Sequence, residues 1–285
     1  MCNPVPFIHS LDEIAGRYAA VLCDVWGVVH NGVRPFPGAP EALRRARDRG
    51  IAVVLVTNAA RLRGEVEDHL RTLGVPDDAW SRVVTSGDVT RELLRTAPRR
   101  IFHLGLDRDL ALYEGLDLEP VGEAEAEAVV CTGLRDEAEA PDDYGPMLRR
   151  LRRRDLPFIC ANPDIFFERG SRKIWCAGAL ARDYAGLGGR VVIAGKPHAP
   201  IYEAALRAAS EVVGHEVGAG AALAIGDGIL TDVAGAAGRG IDVLYVCGGI
   251  HAGEYGEALD PDPIRLAAFL ARHGHRPTAI IPSLR

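Results

Sequence analysis

Four short apolar runs in this chain each end on a group able to do chemistry. Val21 to Cys23 runs into Asp24, and IAVVLV into Thr57 and Asn58. Val191 to Ala194 runs into Gly195-Lys196-Pro197, and Ala222 to Ile225 into Gly226-Asp227, with Asp232 shortly after. Runs of this length read as buried strands, being too short for helices. In an open parallel sheet, functional groups gather at the carboxyl ends of the strands. If the four strands lie parallel in one sheet, two carboxylates, an ammonium and a hydroxyl meet along one edge. That set suits a divalent cation and a phosphate. Mg²⁺ takes oxygen ligands and keeps several waters. Its charge would let the Asp24 carboxylate approach an anionic phosphoryl group, and Lys196 would offset more of that charge. The Thr57 hydroxyl and nearby backbone N–H groups would hold phosphoryl oxygens. Taken singly, each residue has a plainer role. Asp24 and Asp232 suit helix or turn caps, Thr57 suits a strand end, and Asp227 suits a turn.

The elements between these points alternate. A short helix over Leu11 to Tyr18 leads into the Asp24 strand, and the Pro/Gly-rich VRPFPGAP loop follows. EALRRARDRG reads as an amphipathic helix with Ala42, Leu43 and Ala46 inward, closed by Gly50. A helix over Glu65 to Leu73, a strand over Arg82 to Val84 and a helix over Asp88 to Arg95 complete a β-α-β-α-β start, hence an α/β, doubly wound, Rossmann-like parallel sheet. Strands at Arg100 to Gly105, Ala128 to Thr132 and Pro157 to Ala161, with a helix at Asp142 to Arg154, form an inserted α/β unit. The expected division is a core of residues 1–86 plus 190–285 and an insertion of 87–189. After the Lys196 strand come a helix over Pro200 to Val213, the Asp227 strand, a strand over Asp242 to Val246 and a helix over Pro263 to Arg272.

Of the 33 basic residues only Lys173 and Lys196 are lysines, so a position that kept Lys is a candidate for needing an ammonium rather than a guanidinium. At 285 residues with 25% charged and 48% hydrophobic residues, the chain suits an ordinary globular protein of two domains or one large one. The net charge of -6 gives no reason to expect nucleic acid or an anionic membrane as partner. MCNPVPFIHS lacks the layout of a secretory signal, no apolar run is long enough to span a membrane, and the six cysteines show no CxxC. These features point to the cytoplasm, with buried free thiols rather than a zinc site. A homodimer is compatible with the sequence, which leaves the oligomeric state open.

CDVWG, VTN, GKP and GDGILTD, in that order, resemble the haloacid dehalogenase superfamily of aspartate-dependent phosphohydrolases. TNAAR, TSGDVT, ANPD, GKPHAPIYEAAL and GDGILTDVAGA are similar to its class IIA, NagD-like branch, which carries a cap domain where the insertion falls. The resemblance implies a Mg²⁺-dependent phosphatase of small phosphorylated metabolites, such as sugar or nucleotide phosphates. Asp24 would form an aspartyl-phosphate. The Trp26 carbonyl and Asp227 would join it in binding Mg²⁺, Thr57 and Lys196 would contact the phosphoryl group, Asn58 would line its pocket, and Asp232 would orient Lys196 or a metal-bound water. One departure matters. The family usually has a second Asp two residues after the nucleophile, as acid and base, and here Trp26 stands there. An indole N–H does not titrate near neutrality, and losing general acid–base catalysis costs roughly 10²–10⁴-fold in rate. The outcomes are a slow phosphatase needing good leaving groups, a substitute such as His30, or a phosphate-binding sensor without turnover. A receiver phosphorylated on Asp24 is a further class, disfavoured by the insertion and the length.

Other signals carry less. GRVVIAGK misses the P-loop spacing, and Pro197 replaces its Ser/Thr. Arg149 to Asp155 reads as a solvated helix face, His273 and His275 as a polar tail, and the aromatics of Ile165 to Trp175 as cap core, where Lys173 could meet an acidic substrate.

Overall fold

The computed structural model describes residues 5–169 and 172–285; Cys2, Gly170 and Ser171 lie outside the described residues. In chain order the strands are β1 (Ala20–Asp24), β2 (Ala52–Thr57), β3 (Arg82–Thr85), β4 (Arg100–Leu104), β5 (Glu119–Pro120), β6 (Ala128–Cys131), β7 (Phe158–Cys160), β8 (Phe166–Arg169), β9 (Arg172–Trp175), β10 (Val191–Ile193), β11 (Ala222–Gly226), β12 (Asp242–Val246), β13 (Gly256–Glu257), β14 (Asp260–Pro261) and β15 (Ala279–Ile281). The α-helices are α1 (Ala39–Asp48), α2 (Arg63–Thr72), α3 (Ser86–Leu94), α4 (Gly145–Arg153), α5 (Ala177–Gly186), α6 (Ala199–Val213), α7 (Ala234–Ala237) and α8 (Pro263–His273). The chain divides into two compact units. One takes in the residues up to Thr57, Gly64–Val84 and Tyr202–Arg285; the other takes in Asn58–Arg63 and Thr85–Ile201.

The first unit is built on a six-stranded sheet in the order β15-β12-β11-β1-β2-β3. β1 pairs in parallel with both β2 and β11, and β12 pairs in parallel with β11 and β15. Every residue of β1, β2 and β11 is buried. Continuous apolar runs are what a parallel sheet covered on both faces requires. α1 turns Ala39, Ala42, Leu43 and Ala46 inward, as its spacing predicts. The expected helix over Leu11 to Tyr18 is instead two 3₁₀ turns, Leu11–Glu13 and Ala15–Arg17, the first closed by a capping box between Ser10 and Glu13.

The second unit has its own parallel sheet, β10-β7-β6-β4-β5. Its strands alternate between two cores. Phe102, Val129 and Phe158 pack on one face with Leu148 of α4 and Leu180 and Tyr184 of α5. Ile101, Val130 and Ile159 pack on the other with Leu94 of α3. The arginines of the 149–155 run are tied to this unit: Arg150 forks onto Glu123, and Arg154 donates to the carbonyl of Ala126 at 2.6 Å.

One expectation fails here. The strand before Lys196 is not part of the six-stranded sheet. β10 pairs with β7, Val191 opposite Phe158 and Ile193 opposite Cys160, so three of the four chemistry-bearing strand ends belong to one sheet and the fourth to the other. The sequence does not announce the β8–β9 and β13–β14 hairpins, the short strand β5, the helix α5 or the closing strand β15. Among the described residues no helix is long and apolar enough to cross a membrane.

Candidate active site

Register aligns the acids of the first unit. Cys23 stands opposite Leu55 on β2 and opposite Ile225 on β11, and Asp24 stands opposite Val56. Thr57 therefore lies one residue past the level of Asp24 on one side, and Asp227 lies just past β11 on the other. All three are buried, as is Asp232. Carboxylate oxygens of Asp24, Asp227 and Asp232 lie within 4.8 Å of one another. Gathering three buried carboxylates at that spacing is unfavourable for bare anions and suits a hard divalent cation.

The backbone shapes this cluster. The N–H of Ile250, in the loop after β12, donates to Oδ2 of Asp227 at 2.8 Å. Gly27, at φ 88°, and Gly249 both approach Asp227 so closely that a Cβ at either would overlap its carboxylate. Asp232 sits on a π turn, Ile229–Val233, entering α7. Its Oδ2 accepts the N–H of Gly228 at 3.1 Å and the Thr231 hydroxyl at 3.2 Å. From α6, the Tyr202 hydroxyl lies 3.1 Å from the carbonyl of Thr231 and 3.2 Å from that of Asp232, pinning the turn from below.

After Asp24 the chain folds back tightly. Val29 and His30 both donate N–H to the Val25 carbonyl, and Gly27 N–H donates to the His30 carbonyl at 2.9 Å. This turn leaves the Trp26 side chain 43% exposed, its indole beside Gly32. His30 is buried. Its Nδ1 accepts the Gly32 N–H at 2.9 Å, and its ring meets His69 edge-on at 5.9 Å. Burial, reinforced by His69, pushes the His30 pKa down to about 4, so it is neutral near pH 7.

In the second unit, Asn58 braces the backbone of Lys196. Its Oδ1 accepts the Lys196 N–H at 2.7 Å, and its Nδ2 donates to the Lys196 carbonyl at 3.3 Å and to Asp164 at 2.8 Å. Lys173 lies over the rings of Phe166 and Trp175, 3.9 and 4.0 Å from their centroids, a cation–π arrangement on the β8–β9 hairpin.

Residues 21–119 match the model of the haloacid dehalogenase-like hydrolase family, and residues 193–285 match a second, HAD-hydrolase-like model. The D-glycerol 3-phosphate phosphatase of Mycobacterium tuberculosis is 30% identical over 274 residues, covering 91% of this chain and 71% of that protein. The chain belongs to the haloacid dehalogenase-like hydrolases. A solved hydrolase of the same family from Brucella suis 1330 is 55% identical, with a TM-score of 0.86 over 98% of this chain and 100% of that one. NagD from E. coli K-12 shares the fold at 21% identity, with a TM-score of 0.69 over 93% of this chain and 96% of that one. The hydrolase thus has the fold of NagD, the namesake of the branch that its motifs resemble. Another structural neighbour, the glycerol phosphate phosphatase of M. tuberculosis in complex with calcium, is 26% identical, with a TM-score of 0.65 over 83% of this chain and 68% of that one.

Within the first unit of the hydrolase, Asp24, Asp227 and Asp232 come together, and Thr57 ends the neighbouring strand. Lys196 and Asn58 meet each other in the second unit, where the Asn58 amide is committed to Lys196 and Asp164. The sequence alone assigns no role to Asp164, Tyr202, Gly249 or Ile250. ANPD was legible as a motif, whereas GGI gave no sign that a backbone N–H there would reach Asp227.

Proposed function

We propose that this hydrolase is a Mg²⁺-dependent phosphatase of small phosphorylated metabolites, acting through an aspartyl-phosphate on Asp24. The observation that carries the reading is the cluster of Asp24, Asp227 and Asp232, with carboxylate oxygens within 4.8 Å of one another at adjoining parallel strands. An all-oxygen donor set fits Mg²⁺. Asp24, Asp227 and the Trp26 carbonyl would hold the ion, with Asp232 as a third carboxylate beside them. When bound, the ion supplies positive charge that lowers the repulsion between Asp24 and an anionic substrate.

The Asp24 carboxylate oxygen attacks phosphorus, and the bond from phosphorus to the leaving oxygen breaks with its electron pair going to that oxygen. Water then attacks the aspartyl-phosphate, releasing orthophosphate and restoring Asp24. The Thr57 hydroxyl holds a phosphoryl oxygen. The motif assigns the Lys196 ammonium to the same group, and Asn58 positions the Lys196 backbone. Residues 87–189 serve as the cap that sets substrate choice. A cytoplasmic location accords with the buried thiols of Cys131, Cys160, Cys176 and Cys247, which are in no disulfide.

Hydrolysis of 4-nitrophenyl phosphate, with and without Mg²⁺, tests the reading. Turnover should require the ion and fall by at least about 10³-fold in Asp24→Asn, since removal of a nucleophile typically costs that much or more. Equal turnover by the variant would refute it. Trp26 in the acid position favours one other reading, a phosphate-ligand sensor, for which phosphate binds but no substrate turns over.

A further inference from the structure

The loop that follows Asp24 bears on which phosphoryl compounds this site can cleave. From Val25 to Arg34 the only side chains that ionise in water are His30 and Arg34. A guanidinium does not serve as a general acid near neutrality. His30 uses Nδ1 to accept the Gly32 N–H, and the ring is only 4% exposed, enclosed by the turn and by His69. It is built into the turn as a backbone brace. Trp26, whose side chain remains substantially exposed, offers an indole N–H that is not a usable acid. This loop therefore brings no proton donor to a departing oxygen.

Cleaving a phosphate monoester places negative charge on that oxygen. An alkoxide is strongly basic and needs a proton as it leaves. A carboxylate, a phosphate or a phenolate with electron-withdrawing groups leaves as the anion. Resting on the phosphatase reading above, we propose that the physiological substrates are phosphoryl compounds with weakly basic leaving groups, namely acyl phosphates, phosphoanhydrides or activated aryl and enol phosphates, rather than alkyl monoesters such as polyol or sugar phosphates. In this reaction Asp24 forms its bond to phosphorus while the leaving group takes the electron pair and departs as an anion. It then equilibrates with solvent protons. The second step needs only water, whose proton passes to bulk solvent. Trp26 is thus a specificity-determining residue: it withholds the acid that would open the site to alkyl esters.

The test is the dependence of kcat/KM on the leaving group, measured with Mg²⁺ on acetyl phosphate, 4-nitrophenyl phosphate, phenyl phosphate and glycerol 3-phosphate. The wild type should favour the first two over the last two by about 10²–10⁴-fold, the range that a missing general acid supplies. In Trp26→Asp the ratio of 4-nitrophenyl to phenyl phosphate turnover should narrow by at least about tenfold, whereas Trp26→Phe should keep the wide ratio. Hydrolysis of glycerol 3-phosphate by the wild type within tenfold of 4-nitrophenyl phosphate would overturn the inference while leaving the phosphatase reading standing. Folded wild-type protein that turns over none of the four would overturn both. The wild-type series decides the matter even where a variant fails to fold.

Discussion

Asp227 shows how little room the site leaves around a single carboxylate. Its Oδ2 takes the Ile250 N–H, and Gly27 and Gly249 close on it from two segments of chain. Gly249→Ala would push a methyl group into the carboxylate and turn it away from Asp24 and Asp232. Groups that orient metal ligands typically change metal affinity by about 10–100-fold. The Mg²⁺ concentration for half-maximal activity should rise by that order in Gly249→Ala, with thermal unfolding measured alongside to show a folded protein. An unchanged Mg²⁺ requirement would mean that Asp227 is not a ligand. At this scale the residue types were legible: Asp24, Asp227 and Asp232 stand at or just past the ends of apolar runs, and Trp26 stands out against the superfamily motif that CDVWG resembles. The glycine at 249 was not, because its role comes from a loop that returns to the site only in the folded chain.

The π turn that carries Asp232 depends on a neighbour from another element. Tyr202, near the start of α6, bonds the carbonyls of Thr231 and Asp232 through its hydroxyl. The Ala234 N–H already reaches the Thr231 carbonyl, and the Tyr202 hydroxyl adds a side-chain donor that ties the turn to α6. Tyr202→Phe should lower unfolding stability in urea by about 1 kcal/mol, the net worth of a hydrogen bond, and should reduce kcat/KM through a displaced Asp232. Wild-type stability together with wild-type activity would show that the turn holds itself. Most strands and helices were readable from apolar runs and stops. β10 illustrates the limit. Its three residues are half-buried or exposed, so the apolar run VVI does not mark a core strand. Which sheet so short a strand joins is decided by the partner it pairs with, here β7.

Stability of the whole molecule should fall on mild acidification. In the unfolded chain His30 takes a proton near its ordinary 6.5, but in the fold only near 4, because burial and His69 disfavour the cation. His251 is also shifted down, by burial and by His273. Where the unfolded state binds more protons, stability rises with pH. The contribution is therefore complete above about pH 6.5 and is lost as pH falls toward 4. Melting temperature should drop across that window, and less so in His30→Asn, whose Oδ1 can accept the Gly32 N–H without titrating. An equal drop in wild type and variant would remove His30 as a cause.

Sequence alone determined the alternating α/β plan, the residues able to do chemistry at the ends of apolar runs, and the replacement of an acid by Trp26. The first two follow from local pattern, namely strand and helix periods, stops, and residue type at a strand end; the third follows from the resemblance of CDVWG to the superfamily's motif, which usually carries an Asp where Trp26 stands. Only the tertiary structure decided that Asp24, Asp227 and Asp232 share one cluster while the Lys196 strand pairs in a second sheet. Pairing partner and register are contacts between distant segments, and a run of three apolar residues carries the same local signal in either sheet.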